Sequence, residues 1–194
     1  MSLKERVYSV LAVSSAEKFN QALPELFPMP LFYPVCTVTN VSAAKRAVAE
    51  RNFDIVLVNS PLADDAGIRF AADVADAADT VVLFLARAEQ FGEVYDRLAE
   101  CGVFVLQKPV PMSLFRIVCG WLVSARERAR KTEKKTLSIE EKMNEIRLLN
   151  RAKWLLISEL KMTEPDAHRF IEKQAMDRCV SKRQIAEEII RTYG

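Results

Sequence analysis

The sequence predicts an α/β domain, built as a doubly wound five-stranded parallel sheet, followed by a helical linker and a unit of three helices. Three observations support this prediction. Short runs rich in valine and isoleucine alternate with amphipathic segments over the first 125 residues. Residues 126–146 are strongly charged and contain neither proline nor glycine. From residue 147 onward, apolar residues recur at helical spacing.

Strands and helices alternate regularly over the first 125 residues. The predicted strands are Arg6–Val13, Pro34–Thr39, Asp54–Val58, Thr80–Leu85 and Val103–Gln107. The predicted helices are Ser15–Phe27, Ser42–Arg51 with Ser42 as its N-cap, Ile68–Ala78, Glu89–Cys101 and one that begins near Met112. Because parallel strands joined by helices form right-handed crossovers, we expect a flavodoxin-like sheet with the strand order 2-1-3-4-5.

Several residues of this segment match the receiver domain of response regulators. They are the apolar strand Asp54–Val58, Gly67, Gly102 and the pair Lys108-Pro109. Residues 5–125 therefore resemble a receiver. The resemblance implies a pocket in which carboxylates at the strand ends bind magnesium and one of them accepts a phosphoryl group. This chain has other residues at those positions: Ser14 and Ser15 for the acidic pair, Asn59 for the phosphoacceptor aspartate, Ala86 for the hydroxyl residue and Val105 for the aromatic switch; only Lys108 is retained.

These replacements predict a pseudo-receiver, which keeps the fold but has lost phosphorylation. The amide of Asn59 is neutral and a poor nucleophile, so it cannot form an acyl phosphate. Magnesium prefers charged oxygen ligands, which the two serines and Asn59 do not offer. We expect Lys108 to contact Asn59 or a backbone carbonyl instead of a phosphate. Asp64 and Asp65 follow the third strand, and we expect them to be solvated loop residues rather than part of the pocket.

Capping residues divide the last 48 residues into three helices. Thr163 is expected to cap the second helix, with Pro165 in its first turn. Ser181 is expected to cap the third, with Gln184 three residues further on. The apolar faces of the helices have to pack against one another, which predicts a compact unit.

This unit resembles the ANTAR domain, an RNA-binding module of bacterial transcription antiterminators. The matching residues are Ala152, Lys153, Leu155, Leu156, Glu164, Ala167, Ala175, Met176, Ala186, Ile189 and Ile190. Trp154 departs from the pattern, since many members have glycine there. The resemblance implies binding of paired hairpins in a nascent leader RNA by a protein dimer, with the result that the terminator hairpin does not form.

The candidate RNA-binding residues are mainly the cations of the three-helix unit. We predict contacts by Lys153, Arg151, Ala152, Arg147, Arg169, Lys173, Arg178, Lys182 and Arg183, with Lys153 first because it belongs to the Ala-Lys pair of the family. Candidate stacking groups are Trp154, His168, Phe170 and Tyr193. The sequence leaves open whether Trp154 packs in the core or contacts RNA.

The charged linker is predicted to continue as an exposed helix that joins two protomers. Apolar residues resume there at steps of three, four and seven, at Ile139, Met143, Ile146, Leu149 and Leu156. This spacing is typical of a short coiled coil, so we expect a homodimer. The predicted domains are therefore residues 1–125, the pseudo-receiver; residues 126–146, the linker; and residues 147–194, the RNA-binding unit.

Composition excludes several other classes of protein. The chain has four scattered cysteines, one histidine and five glycines, and it shows no metal-ligand cluster, nucleophile–base pair or glycine-rich phosphate loop. We therefore expect no enzyme, cofactor or metal. The absence of a long apolar run and of a recognisable signal peptide predicts a cytoplasmic protein that does not enter a membrane.

The charge distribution favours a nucleic-acid partner for the C-terminal part. Residues 126–194 hold 17 Lys and Arg against 12 Asp and Glu, a net charge of +5, while residues 1–125 have a net charge of −3. We therefore predict a transcription antitermination regulator controlled by a partner protein at the pseudo-receiver. Two alternatives stay open: an adaptor that binds only proteins, and a DNA-binding regulator that uses Ser181–Tyr193 as its recognition helix.

Overall fold

The computed structural model describes residues 6–77 and 80–194. Its elements are, in order, β1 Tyr8–Val13, α1 Glu17–Leu26, β2 Phe32–Val38, α2 Val41–Glu50, β3 Ile55–Asn59, α3 Ile68–Asp76, β4 Val81–Ala86, α4 Phe91–Ala99, β5 Phe104–Gln107, α5 Met112–Leu160, α6 Glu164–Asp177 and α7 Lys182–Tyr193. The chain forms two compact units that divide between Lys131 and Thr132. Ala78, the predicted end of the third helix, lies outside the described residues. No helix in the described ranges is long and apolar enough to cross a membrane.

The first unit contains the predicted parallel sheet. Its strand order is β2-β1-β3-β4-β5, which confirms the flavodoxin-like topology. All four strand pairings are parallel, and Ile55 on β3 stands beside both Val10 on β1 and Val81 on β4. Every residue of β3 and β4 is buried, as expected for central strands that are covered by helices on both faces.

Alternate residues of each central strand supply two separate cores. Val56, Val58 and Phe84 point to one face of the sheet, where they pack with residues of α2, α3 and α4. Ile55 and Leu57 point to the opposite face, where they pack with residues of α1 and the start of α5. This two-sided burial follows from the period of two in strand side chains and fixes the register of the sheet.

The N-cap of α2 differs from the prediction. Asn40 caps this helix, because its side-chain oxygen accepts the backbone N–H of Ala43 at 2.8 Å. Ser42, the predicted cap, lies inside the first turn and donates its hydroxyl to Asp64. The predicted cap was therefore two residues too late, and both Asn and Ser are residue types that commonly cap helices.

A buried ionic cluster lies where β3 begins, and the sequence did not predict it. Asp54 precedes the strand and accepts hydrogen bonds from the backbone N–H of Ser9 at 3.0 Å, from Arg126 at 2.9 Å and from Arg130 at 2.6 Å. Beside it, Glu127 accepts the hydroxyl of Tyr8 at 3.0 Å. The cluster therefore joins the sheet to the part of α5 that contains residues 126–130.

Helix α5 is continuous from Met112 to Leu160. It includes the last helix of the α/β domain, the charged linker and the first helix of the C-terminal unit. The predicted linker, residues 126–146, is helical throughout, but only residues 131–146 are exposed as expected; Arg126 is buried, and Glu127 and Arg130 are half-buried against the sheet. No proline or glycine interrupts this stretch, so every backbone N–H can continue the helical ladder.

In the second unit, α6 and α7 begin at the N-caps that the sequence predicted. Thr163 accepts the backbone N–H of Asp166 at the start of α6, where Pro165 stands in the first turn. Ser181 and Gln184 form a reciprocal capping box at the start of α7. Apolar residues of α5, α6 and α7 then form one shared core, made of Ala152, Leu155, Leu156, Ala167, Ile171, Ala175, Ile185, Ala186 and Ile189.

Candidate functional sites

The modified phosphoacceptor pocket is a closed hydrogen-bond network. Asn59 ends β3 and is buried. Its amide nitrogen donates to the hydroxyl of Ser14 at 3.0 Å, and its amide oxygen accepts the Lys108 ammonium at 2.9 Å. Lys108 also donates to the backbone carbonyl of Ser60. Lys108 was expected to contact Asn59 or a backbone carbonyl, and it contacts both.

The other predicted pocket residues complete this end of the sheet. Ala86 is buried, and its carbonyl accepts the backbone N–H of Lys108 at 2.8 Å. Ser15 is exposed and its hydroxyl donates to the carbonyl of Pro61 at 3.4 Å. Burial, followed by repulsion from Arg87, lowers the pKa of Lys108. Within residues 6–77 and 80–194, no group of three or more His, Cys, Asp or Glu side chains could hold a metal ion.

Asp64 and Asp65 are exposed and also accept hydrogen bonds from backbone amides. Asp64 accepts the N–H of Val41 at 2.9 Å and of Ser42 at 3.2 Å, so it ties its loop to the start of α2. These hydrogen bonds lower the pKa of Asp64, and the bond from Val41 has the largest effect. Asp65 accepts the N–H of Gly67 at 2.6 Å. The expectation that Asp64 and Asp65 are exposed loop residues is confirmed, and Asp64 is stabilised in addition by the free amide groups at a helix start.

Most of the cations proposed to bind RNA are paired with carboxylates. Lys153 bonds Glu164 at 2.7 Å and Lys182 bonds Glu172 at 2.5 Å. Three arginines are paired similarly: Arg178 with Glu188, Arg183 with Glu187 and Arg169 with Asp166. Arg147, Arg151 and Lys173 have no ion pair within the described part of the chain. Hydrogen bonds to Lys153 and Lys182 lower the pKa of Glu164 and Glu172, respectively.

The uncharged candidates divide into core and surface residues. Ala152 is fully buried in the three-helix core, so its methyl group cannot contact RNA and we remove it from the RNA-binding set. Phe170 is partly buried and packs against the same core. Trp154 is 66% exposed, so its ring lies on the surface and does not belong to the core. Tyr193 is also exposed.

A groove runs between α5, α6 and the start of α7. Its lining residues are Ile146, Leu149, Asn150 and Lys153 from α5, His168, Ile171 and Glu172 from α6, and Lys182 from α7, and its volume is about 200 Å³. Asn150 and Glu172 were not among the predicted site residues. Asn150 lies three residues before Lys153, and Glu172 lies four residues after His168, so each shares a helix face with a predicted residue. This spacing in the sequence could have predicted both.

Known proteins are similar to both parts of the chain. Residues 138–190 match the ANTAR domain. The transcriptional regulatory protein PdtaR of Mycobacterium tuberculosis is 28% identical over 142 residues, which cover 73% of this chain and 69% of that protein.

Solved structures resemble the sheet-containing part. The signal receiver domain of an HD domain-containing protein from Pseudomonas fluorescens Pf-5 superposes with a TM-score of 0.56 at 20% identity, covering 64% of this chain and 92% of that one. A response regulator receiver domain protein from Clostridium thermocellum gives 0.54 at 15% identity, covering 62% and 97%. These identities establish the fold alone. The chain therefore carries an ANTAR domain at residues 138–190, which follows a domain with the receiver fold.

Proposed function

We propose that this protein is a transcription antitermination regulator that binds hairpins in nascent leader RNA, acts in the cytoplasm and is not an enzyme. The observation that carries the proposal is the ANTAR domain at residues 138–190. Its three helices form a folded unit with many exposed cations. The similarity to a transcriptional regulatory protein over most of the chain supports the same role.

The proposed RNA contacts come from cations that are already positioned on the helices. Arg147, Arg151 and Lys173 are exposed and can neutralise phosphates directly. Lys153, Lys182 and the paired arginines would exchange a carboxylate for a phosphate. The exchange is inexpensive, because exposed ion pairs contribute only about 0–1 kcal/mol.

Loss of phosphorylation in the receiver-like part belongs to the same proposal. Asn59 is committed to Ser14 and Lys108, and neither group supplies a negative charge for magnesium. Control would then pass to a regulatory protein that binds residues 1–125, the pseudo-receiver. Residues 126–146 would serve as the linker and residues 147–194 as the RNA-binding domain.

The test is binding of the full-length protein to an RNA with two hairpins and to duplex DNA over a series of salt concentrations. We expect preference for the RNA and a loss of affinity as salt increases. The Lys153→Ala variant should bind more weakly and reduce the slope of log affinity against log salt by about 1. The control is Lys142→Ala, which removes the same charge from an exposed position on α5.

Each other outcome contradicts the proposal in a defined way. Preference for duplex DNA would favour a DNA-binding regulator that reads with α7. Absence of nucleic-acid binding at low salt would favour a protein-binding adaptor. Equal effects of the Lys153 and Lys142 substitutions would remove Lys153 from the proposed RNA contacts.

A further inference from the structure

A cavity of about 560 Å³ lies in the first unit, between the end of α1, the start of β2 and the first part of α5. We call it the α1–α5 cavity. Its floor is formed by Leu26, Phe32 and Cys119, which are all buried. Sites for small molecules have volumes of about 300–1,000 Å³ and are lined mainly by apolar side chains, so the size and floor of this cavity fit such a ligand.

The floor of the α1–α5 cavity carries no charge. The thiol of Cys119 donates to the backbone carbonyl of Leu26, with 3.6 Å between sulfur and oxygen. Burial raises the pKa of Cys119 to about 12, so the thiol stays protonated at neutral pH. Together with the side chains of Leu26 and Phe32, this neutral thiol favours the hydrocarbon part of a ligand.

The rim of the cavity holds two side chains of opposite charge. Glu25 comes from α1 and Arg116 from α5, and both are exposed. Within residues 6–77 and 80–194, neither side chain takes part in an ion pair or a hydrogen bond. A carboxylate accepts hydrogen bonds from an ammonium group, and a guanidinium group donates two parallel hydrogen bonds to a carboxylate. A ligand that carries both groups would therefore pair with both rim residues.

Gly120 provides an independent observation. It lies in the interior of α5 and lines the cavity, and no atom of the described chain lies within 4 Å of the place where its Cβ would stand. Glycine weakens the interior of a helix relative to alanine, so packing inside this protein does not account for it. Glycine does allow a ligand to approach the backbone closely. The absence of a side chain here keeps open the space that a ligand needs.

We propose that the α1–α5 cavity binds a small zwitterion with an apolar body, either a hydrophobic amino acid or a dipeptide of such residues. The apolar body lies on the floor, the ammonium group faces Glu25 and the carboxylate faces Arg116. Four lining residues of α5, from Arg116 to Val123, lie at positions i, i+3, i+4 and i+7, so the ligand contacts one face of the helix that continues into the linker. The inference goes beyond the proposed function, because it does not depend on RNA binding.

The first experiment is a calorimetric titration of the full-length protein with L-leucine, L-phenylalanine and the dipeptide L-leucyl-L-leucine. At least one of these probes should bind saturably with one-to-one stoichiometry. Binding of a free amino acid would identify that class as the ligand, and binding of the dipeptide alone would identify peptide termini. Analogues of the bound probe that lack either the ammonium group or the carboxylate should bind about tenfold more weakly, because each loses a charged hydrogen bond.

Substitutions at the rim test the two charged contacts. Arg116→Gln and Glu25→Gln should each weaken binding of the probe about tenfold, for the same reason. The matched controls are Arg69→Gln on α3 and Glu50→Gln on α2, which remove the same charges from exposed positions outside the cavity. Both controls should bind the probe as the wild type does.

A substitution in the wall tests the space itself. Gly120→Leu should abolish binding, because its side chain occupies the cavity. It should not lower the midpoint of urea denaturation, because leucine is favoured in helices and no described atom obstructs it. The control is Gly92→Leu on α4, where the position of a Cβ is equally open. This control should leave binding unchanged.

The proposal is overturned if none of the three probes binds. It is also overturned if a bound probe has the same affinity for the Arg116→Gln and Glu25→Gln variants as for the wild type, or if Gly120→Leu and Gly92→Leu affect binding equally. If Gly120→Leu unfolds the protein, the two glutamine variants decide the outcome by themselves.

Discussion

At the scale of single residues, Asn59 determines what the receiver-like pocket can do. A carboxylate at this position would supply the nucleophile, but Ser14 and Ser15 would still provide no charge to hold magnesium. We therefore expect the Asn59→Asp variant to remain unphosphorylated when it is incubated with magnesium and a small-molecule phosphodonor. Intact-mass spectrometry is the measurement.

The control for this prediction restores the missing ligands. A variant with Ser14→Asp and Ser15→Asp in addition to Asn59→Asp should bind magnesium more tightly than the single variant in a calorimetric titration. A stable phosphorylated form of the single variant would show that magnesium binding does not limit the pocket. Phosphorylation of the unaltered protein would contradict the loss of phosphorylation itself.

Asp54 is the residue on which the buried ionic cluster depends. Its removal leaves Arg126 buried without the carboxylate that it binds, and one nitrogen of that guanidinium already has no hydrogen-bond partner among the described residues. We expect Asp54→Ala to lower the free energy of unfolding by about 3–5 kcal/mol at neutral pH. The measurement is urea denaturation followed by Trp121 fluorescence in a Trp154→Phe background. Asp96→Ala, at an exposed position on α4, is the control and should change little.

The same residue predicts a dependence of stability on pH. Burial raises the pKa of Asp54, but the Ser9 amide and the two arginines outweigh burial and hold the pKa below its ordinary value. The stabilisation is complete above the unfolded pKa of about 3.9 and is lost as the pH falls through the lower folded pKa. The difference in unfolding free energy between wild type and Asp54→Asn should therefore shrink below about pH 4. A constant difference down to pH 3 would contradict the pairing.

At the scale of elements, the start of α7 depends on its capping box. The Ser181 hydroxyl accepts the backbone N–H of Gln184 at 3.2 Å, and Oε1 of Gln184 accepts the backbone N–H of Ser181 at 3.1 Å. We expect Ser181→Ala to destabilise the second unit by about 1 kcal/mol. Trp154 fluorescence in a Trp121→Phe background reports the unfolding of this unit.

A second hydroxyl on the same helix provides the comparison. Thr192 donates to the carbonyl of Glu188 inside the helix and satisfies no free amide group. Thr192→Ala should therefore lower the free energy of unfolding much less than Ser181→Ala does. Equal losses would mean that the capping box does not set the stability of α7.

At the scale of the whole molecule, the exposed apolar residues of α5 carry the prediction of a homodimer. Ile139 is 61% exposed and Met143 is 47% exposed, so their side chains are available to a second protomer. The stripe is shorter than the sequence indicated, because Leu156 is fully buried in the three-helix core and Leu149 packs against it. Only Ile139, Met143 and Ile146 of the predicted stripe are exposed.

We expect lysine at both Ile139 and Met143 to convert the dimer to a monomer, because two like charges would face each other across the seam. Sedimentation equilibrium at micromolar concentration is the measurement. The control places lysine at Glu140 and Asn144, which are the adjacent polar positions of α5. A monomeric wild-type protein, or a dimer that survives the Ile139 and Met143 substitutions, would contradict dimerisation through the linker.

Local patterns were sufficient for the type and order of the elements. Strand runs, helical spacing and the caps Thr163 and Ser181 depend on residues within a few positions of one another, and the sequence predicted all of them. Where two neighbouring residues could play one role, local reasoning chose wrongly, as with Ser42 in place of Asn40 at α2.

The sequence by itself determined the receiver-like fold, the three-helix unit, the replaced phosphoacceptor and the set of candidate cations, because each follows from residue type and short-range spacing. Only the tertiary structure decided which side chains meet. Asp54 pairs with Arg126, Lys153 pairs with Glu164, Ala152 is buried and Trp154 is exposed. These facts depend on how the elements pack. Packing brings together residues whose spacing along the chain does not predict that they will be in contact.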